Sequence, residues 1–168
     1  EQVQRESEEE TLEAMSSHIA NLVEENQDLM LVWGSGGTLR QICKLIGLES
    51  TLLGIDIQHA GKMYNDLNES GLLEIINLHQ GEIKLLLSPM GGQGFLIGRG
   101  NLQLSPDVLR AIGTDNILGI ATPAKLLGLN ELRIDTGDEE LDSEIRAKKY
   151  LKVLQGYRTT RVIRVAND

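Results

Sequence analysis

The sequence predicts an α/β fold of three layers, a mainly parallel sheet with helices on both faces and Gly-rich βα loops at its carboxyl edge. Three observations predict it. A continuous apolar run at Leu29–Trp33 and largely apolar runs at Ile83–Leu87 and Asn116–Ala121 have the pattern of strands buried on both faces, as in parallel sheets. Segments with helical periodicity separate them, so helices and short strands alternate five or six times along the chain. Glycine or threonine follows several of the strands, at Gly34–Thr38, Gly91–Asn101 and Thr122, where ligands of open α/β sheets bind. No repeat, low-complexity linker or domain break intervenes. Residues 28–168 are expected to form one α/β domain, with residues 1–27 as an N-terminal helix packed on it.

In that helix Leu12, Met15, Ile19 and Leu22 recur at intervals of three and four. Ser7 and Glu10 within it have capping-box spacing. Glu6 and Glu8–Glu10 suit the positive end of the helix dipole and read as a solvated face in preference to a docking tail. After the strand Leu29–Trp33 comes Gly34-Ser35-Gly36-Gly37-Thr38, then a helix with Leu39, Ile42, Cys43 and Ile46 on one face. Strand, glycine loop and helix start is the order that seats a phosphate on a helix N-terminus; a tight turn is the alternative. No lysine follows the last glycine, so the loop is not a Walker A motif, and it is not G-x-G-x-x-G. Cys43 reads as core, with no basic neighbour to activate it.

Leu52–Ile57 is the next expected strand, with Asp56 near its carboxyl end, where a carboxylate accepts either a ribose hydroxyl or nearby backbone N–H groups. Gln58–Lys62 is an expected turn, and Asn68 or Ser70 starts a helix that Gly81 ends. The strand Ile83–Leu87 feeds Ser88–Asn101, which holds Gly91, Gly92, Gln93, Gly94, Gly98, Arg99, Gly100 and Asn101. Backbone N–H groups of such a loop can cradle an anion, Arg99 adds a fork suited to phosphate, and Phe95, Leu96 and Ile97 pin the middle to the core. A long glycine-rich turn is the plainer alternative.

Ser105 and Pro106 then cap a helix running to Gly113. Thr122 caps a short one, placing Lys125 as a cation near the same rim. Leu132–Ile134 is a strand. Asp135, Asp138 and Asp142 invite a metal, but Thr136 and Glu139 have capping-box spacing, and acidic residues in a first turn need no ligand. Arg161–Val165 closes the chain, with Arg158, Arg161 and Arg164 read as phosphate contacts or a basic sheet edge. His18, His59 and His79 stand singly, with no ligand spacing, and no metal site is assigned.

Composition narrows the function. A net charge of −9 argues against nucleic acid and anionic membranes as partners. One cysteine excludes a disulfide framework and, with no visible signal peptide or membrane span, points to the cytoplasm. The chain opens with Glu1 in place of methionine, so a piece of a longer protein is expected.

The run GGQGFLIGRGNLQLSP at 91–106 resembles the ATP-NAD kinase family in its AcoX-type branch. The resemblance extends to GSGGT at 34–38, TLLGIDI at 51–57, DLNE at 66–69, ATPAKL at 121–126, LRIDTGDEELD at 132–142 and GYRTTRVIRV at 156–165. It implies ATP-dependent phosphorylation of NAD with Mg²⁺ in the parent protein, and a nucleotide-binding role in NADP biosynthesis. The family's catalytic GGDGT motif does not occur here, so the resemblance covers only the C-terminal half, no catalytic residue is assigned, and this half alone is expected to turn over nothing. The familiar NAD kinases close on an all-β domain, whereas this half reads as α/β, closer in style to phosphosugar isomerases and CoA-transferase-like domains. Two other readings stay open: a non-kinase module binding a phosphorylated sugar, nucleotide or CoA-type ligand, and a homo-oligomer interface with purely structural loops.

Overall fold

A computed structural model describes residues 2–98 and 101–168, with side chains from residue 7 onward. Helix α1 spans Gln2–Glu25, and the order continues β1 (Met30–Trp33), α2 (Gly37–Leu45), β2 (Asp56–His59), β3 (Lys62–Tyr64), α3 (Glu69–Leu78) and β4 (Ile83–Leu87). Then come β5 (Phe95–Ile97), α4 (Pro106–Ile112), a 3₁₀ turn (Thr114–Asn116), β6 (Ile117–Ile120), α5 (Pro123–Leu127), β7 (Glu131–Ile134), α6 (Glu139–Arg146), β8 (Tyr150–Gly156) and β9 (Thr159–Val165).

Among the described residues nine strands form one sheet in the order β3-β2-β1-β4-β6-β8-β9-β7-β5. Two parallel groups, β1-β4-β6-β8 and β9-β7-β5, meet at the antiparallel β8–β9 pair, and the β2–β3 hairpin adds antiparallel to β1. The three-layer α/β expectation therefore holds.

The layers follow from strand alternation. Met30 and Val32 of β1 join Leu85 and Leu87 of β4 in a cluster completed by Leu72 and Ile76 of α3, Val108 and Leu109 of α4, and Leu141 and Ile145 of α6. Leu31 and Trp33 face the other way, with Leu86, Met15 and Ile19 of α1, and Ile42 and Cys43 of α2. Burial on both faces is why β1 is an unbroken apolar run and β4 admits one polar residue, half-buried Lys84. Trp33 is 0% exposed, and its Nε1 donates to Gln58 Oε1 at 3.0 Å, which satisfies the indole inside the core. The β8–β9 turn holds α1 from the far side: Arg158 N donates to His18 Nδ1 at 3.0 Å and Asn21 Nδ2 to Tyr157 Oη at 2.7 Å.

Several elements differ from expectation. Helix α1 covers most of the expected span, but Ser7 is interior to it and does not cap, its carbonyl accepting from Thr11 Oγ1 at 2.8 Å. Nothing upstream of Ser7 breaks a helix, since Gln, Arg and Glu are good helix formers. The run 52–57 is not a buried strand: Leu53 is 81% exposed, and β2 begins only at Asp56 and runs antiparallel to β1. The turn after it is confined to Ala60-Gly61, because Gln58 and His59 stay paired with β3. Asp138 caps α6 in place of Thr136, accepting from Leu141 N at 3.0 Å. Arg164 lies where β9 is paired on both sides, so the basic-edge reading fails there, whereas Arg161 sits where β9 pairs with β8 alone. Asn68, Ser105 and Thr122 cap as expected, each accepting from a backbone N–H three residues on.

Candidate functional site

The carboxyl ends of β1, β4 and β6 share one edge because those strands are parallel. Three connections leave that edge: Gly34–Thr38 from β1, the chain from Ser88 to Asn101 from β4, and Thr122 with α5 from β6. Asp56 reaches the same edge from the opposite direction, since the antiparallel register pairs it with Trp33. One hydrogen bond ties two of these connections together. Ser35 Oγ donates to Asn101 Oδ1 at 2.6 Å, across 66 residues of sequence.

The glycines divide by what a side chain would meet. At Gly34 an added Cβ would lie 2.8 Å from Leu86 O, at Gly94 2.7 Å from Glu131 O, and at Gly98 2.7 Å from Asp135 O. These three allow close backbone packing. At Gly36, Gly37, Gly91 and Gly92 the same Cβ would meet nothing within 4 Å. Gly36, with φ 121°, precedes α2, which has no side-chain cap, and beside that helix start a depression of about 500 Å³ is lined by Gly37, Arg40, Lys44, Glu49 and Ser50. Gly36 N is spent on Leu52 O at 3.0 Å, so the donors left at this end belong to the first turn of α2, from Gly37, Thr38 and Leu39. Thr38 is half-buried on that turn.

Gly91, Gly92 and Gln93 form an exposed turn, closed by paired backbone bonds between Met90 and Phe95 and bordering a depression of about 290 Å³. The stretch is thus not one loop, since β5 occupies its middle and pairs with β7. Arg99 and Gly100 lie outside the described residues.

Asp56 is 0% exposed, and its carboxylate accepts from Thr51 N at 2.7 Å, Thr51 Oγ1 at 2.9 Å and Asp66 N at 2.8 Å. The chain's own donors thus occupy it, as in the N–H-capping alternative. Thr122 is buried and spends its hydroxyl on Lys125 N. Lys125 is half-buried beside it, forms no ion pair among the described residues, and has its pKa lowered by burial. One residue escaped sequence reasoning: Ser88, at the carboxyl end of β4, is buried with no hydrogen-bond partner for Oγ among the described residues. A lone serine after a strand gives no signal of that.

Carboxylates near the sheet ends do not fit a resident Mg²⁺. Asp56 is occupied, Asp142 accepts from Thr136 N at 2.8 Å and Thr136 Oγ1 at 2.5 Å, and Asp138 caps α6 and pairs with Arg110 at 3.2 Å. The Leu141 N–H and the Arg110 guanidinium hold Asp138 below the usual carboxylate range. Burial pushes the Cys43 thiol up to about 11, so it is core and no nucleophile.

The family model of the ATP-NAD kinase C-terminal domain matches residues 26–165. The chain belongs to that family. Comparison with curated proteins and with solved structures finds no match. In this ATP-NAD kinase C-terminal domain the family match begins just before β1 and ends at the last residue of β9, so it spans the whole sheet. No helix among the described residues is long and apolar enough to cross a membrane.

Proposed function

We propose that this domain supplies phosphate and ribose contacts to an NAD-kinase-like phosphotransferase of the AcoX-type branch, whose parent phosphorylates NAD with ATP. The observation that carries this reading is the Ser35–Asn101 hydrogen bond, which joins the two glycine-bearing connections beside an uncapped helix start. The α2 donors from Gly37 and Thr38 would take a phosphate, and Lys125 would add positive charge. Ser88 Oγ, buried and unpartnered, would give or accept one hydroxyl contact. Gly91–Gln93 would offer backbone contacts to the ligand, and Arg99 and Gly100, outside the described residues, would add theirs. Gly34, Gly94 and Gly98 would serve the site by packing alone, and Asp56 and Thr122 by holding the loops in shape.

Phosphoryl transfer rests on positioning and charge stabilisation. With no GGDGT motif and no free carboxylate pair at this rim among the described residues, the domain would bind substrate and leave metal binding and catalysis to another part of the parent. Residues 28–168, with the helix of residues 1–27 packed on them, would act as one unit in this role, in the cytoplasm.

Thermal-shift titration with NAD, NADP, ATP, ribose 5-phosphate and CoA, each with and without Mg²⁺, tests the reading. A ligand that binds only the folded state raises its stability by about 2.7 kcal/mol at a hundred times its Kd. NAD or ATP should raise Tm, and Lys125→Ala or Ser35→Ala should reduce the rise. A shift with ribose 5-phosphate or CoA alone would replace the kinase reading with the non-kinase module. No shift with any ligand, or equal shifts in both variants, would refute the rim as a site.

A further inference from the structure

The opposite edge of the sheet carries a second cluster, independent of the glycine rim. Asp28 lies in the α1–β1 connection, His59 at the end of β2, and His79 at the C-terminal cap of α3. Because β2 runs antiparallel to β1, its carboxyl end meets the amino ends of β1 and β4. One ligand atom from each of the three residues lies within 4.8 Å of the others. His59 Nε2 is 3.2 Å from Asp28 Oδ1, and the imidazole rings meet edge to face with centroids 4.7 Å apart.

We propose that Asp28, His59 and His79 form a binding site for a divalent transition-metal cation, with Zn²⁺ as its representative. Ligand atoms about 2.0–2.1 Å from one tetrahedral ion stand roughly 3.3 Å apart, which the Asp28–His59 pair already matches. Two imidazoles and one carboxylate suit Zn²⁺, Co²⁺ or Ni²⁺ and discriminate against Mg²⁺, which prefers oxygen. Asp28 is 68% exposed at its side chain, leaving room for water at a remaining coordination position.

The surrounding chain supports this geometry. Asn26 Oδ1 accepts from Asp28 N at 3.1 Å and shapes the Asp28 turn. Glu82 O lies 3.2 Å from His79 Nε2, a contact that an ion on Nε2 would displace and an ion on Nδ1 would keep as an orienting N–H···O bond. Gly81 makes the approach physically allowed: a Cβ there would lie 2.2 Å from Asp28 Oδ2 and 3.0 Å from His79 Nε2. The ion would tie together three connections that otherwise share an edge without a covalent link. An Asp28–His59 ion pair beside an edge-on histidine is the competing account, and it predicts no metal affinity.

Isothermal titration of the metal-free protein with Zn²⁺, and visible absorption with Co²⁺, decide between them. One equivalent of Zn²⁺ should bind with a micromolar Kd, raise Tm, and be displaced by a chelator; Co²⁺ should give visible ligand-field bands. His59→Ala, His79→Ala and Asp28→Asn should each weaken binding by more than about tenfold. Gly81→Ala should do so with all three ligands retained, and His18→Ala should change nothing. Folding of each variant is checked by Trp33 fluorescence. No binding up to millimolar Zn²⁺, retained affinity in the His59→Ala/His79→Ala double variant, or equal loss in His18→Ala would overturn the proposal.

Discussion

Replacing Asp56 by Asn tests whether this carboxylate holds the loop before β2 or serves a ligand. The side chain is 0% exposed and accepts two backbone N–H groups and one hydroxyl, at 2.7, 2.8 and 2.9 Å. Hydrogen bonds to a charged acceptor contribute about 1.5–3 kcal/mol each. An amide keeps one acceptor oxygen and turns its NH₂ toward a donor, so one backbone bond is lost and a buried N–H is left unpaired. Relief of the desolvation of a buried charge works in the other direction. The net loss is about 2–3 kcal/mol, and with a urea m-value near 2 kcal/mol/M the midpoint falls by roughly 1–1.5 M. Trp33 is the chain's one tryptophan and the register partner of Asp56, so its fluorescence reports the unfolding at the point of the change. Thr51→Val removes the hydroxyl alone and should cost about 1.5 kcal/mol, the low end of the range for a charged acceptor, since the carboxylate keeps both backbone donors. An Asp56→Asn midpoint within about 0.3 M of the parent, together with a lost ligand response, would refute the structural role and restore Asp56 to the binding site.

The remaining predictions concern two side chains held by α1 and α2. Cys43 is buried, with its thiol near 11, so a thiol-reactive dye at pH 8 should leave the native protein unlabelled and modify one thiol per chain in denaturant. Rapid labelling of the folded protein would contradict the packing of α2 on β1. Burial, and then the nearby positive charge of Arg158, lower the pKa of His18, whose Nδ1 must keep its lone pair to accept from Arg158 N. The folded value therefore lies below the unfolded one, near 6.5. The stability that depends on neutral His18 is fully present above pH about 6.5 and is lost as pH falls toward the folded value. His18→Gln should flatten the decline of the urea midpoint between pH about 7 and 5, and an unchanged slope would show that His18 is not held neutral.

What the sequence disclosed follows the kind of burial each segment has. Met30–Trp33, Ile83–Leu87 and Ile117–Ile120 are readable because burial on both faces leaves almost no polar position, half-buried Lys84 being the exception. The Asn68, Ser105 and Thr122 caps are readable because a cap needs a particular side chain at one place. Leu52 and Leu53 mislead, since their hydrophobicity is spent at the surface. Tyr150–Gly156 is hard to recognise because its outer face, with Tyr150 and Lys152, dilutes the apolar pattern. At the candidate site the glycine-bearing connections could be located, but not which glycines pack and which stay open. That depends on Leu86 O, Glu131 O and Asp135 O, which belong to other strands. The same limit hides Ser35–Asn101 and Asp28–His59–His79, because the contacts exist only once the sheet order has been set.

The reversal of strand direction at β8–β9 also governs how the chain can assemble. These two strands are sixth and seventh of nine across the sheet, yet they follow every other strand in sequence. As the polypeptide emerges from a ribosome, β1, β4 and β6 can pair early on one side, and β7 with β5 on the other. Neither group can join its counterpart until the final hairpin has been made. The middle of the sheet is therefore closed last, by a strand pair with long sequence separations from its neighbours, which is the costly kind of contact for a folding chain. Until then the facing edges of β6 and β7 remain open to pairing with other chains.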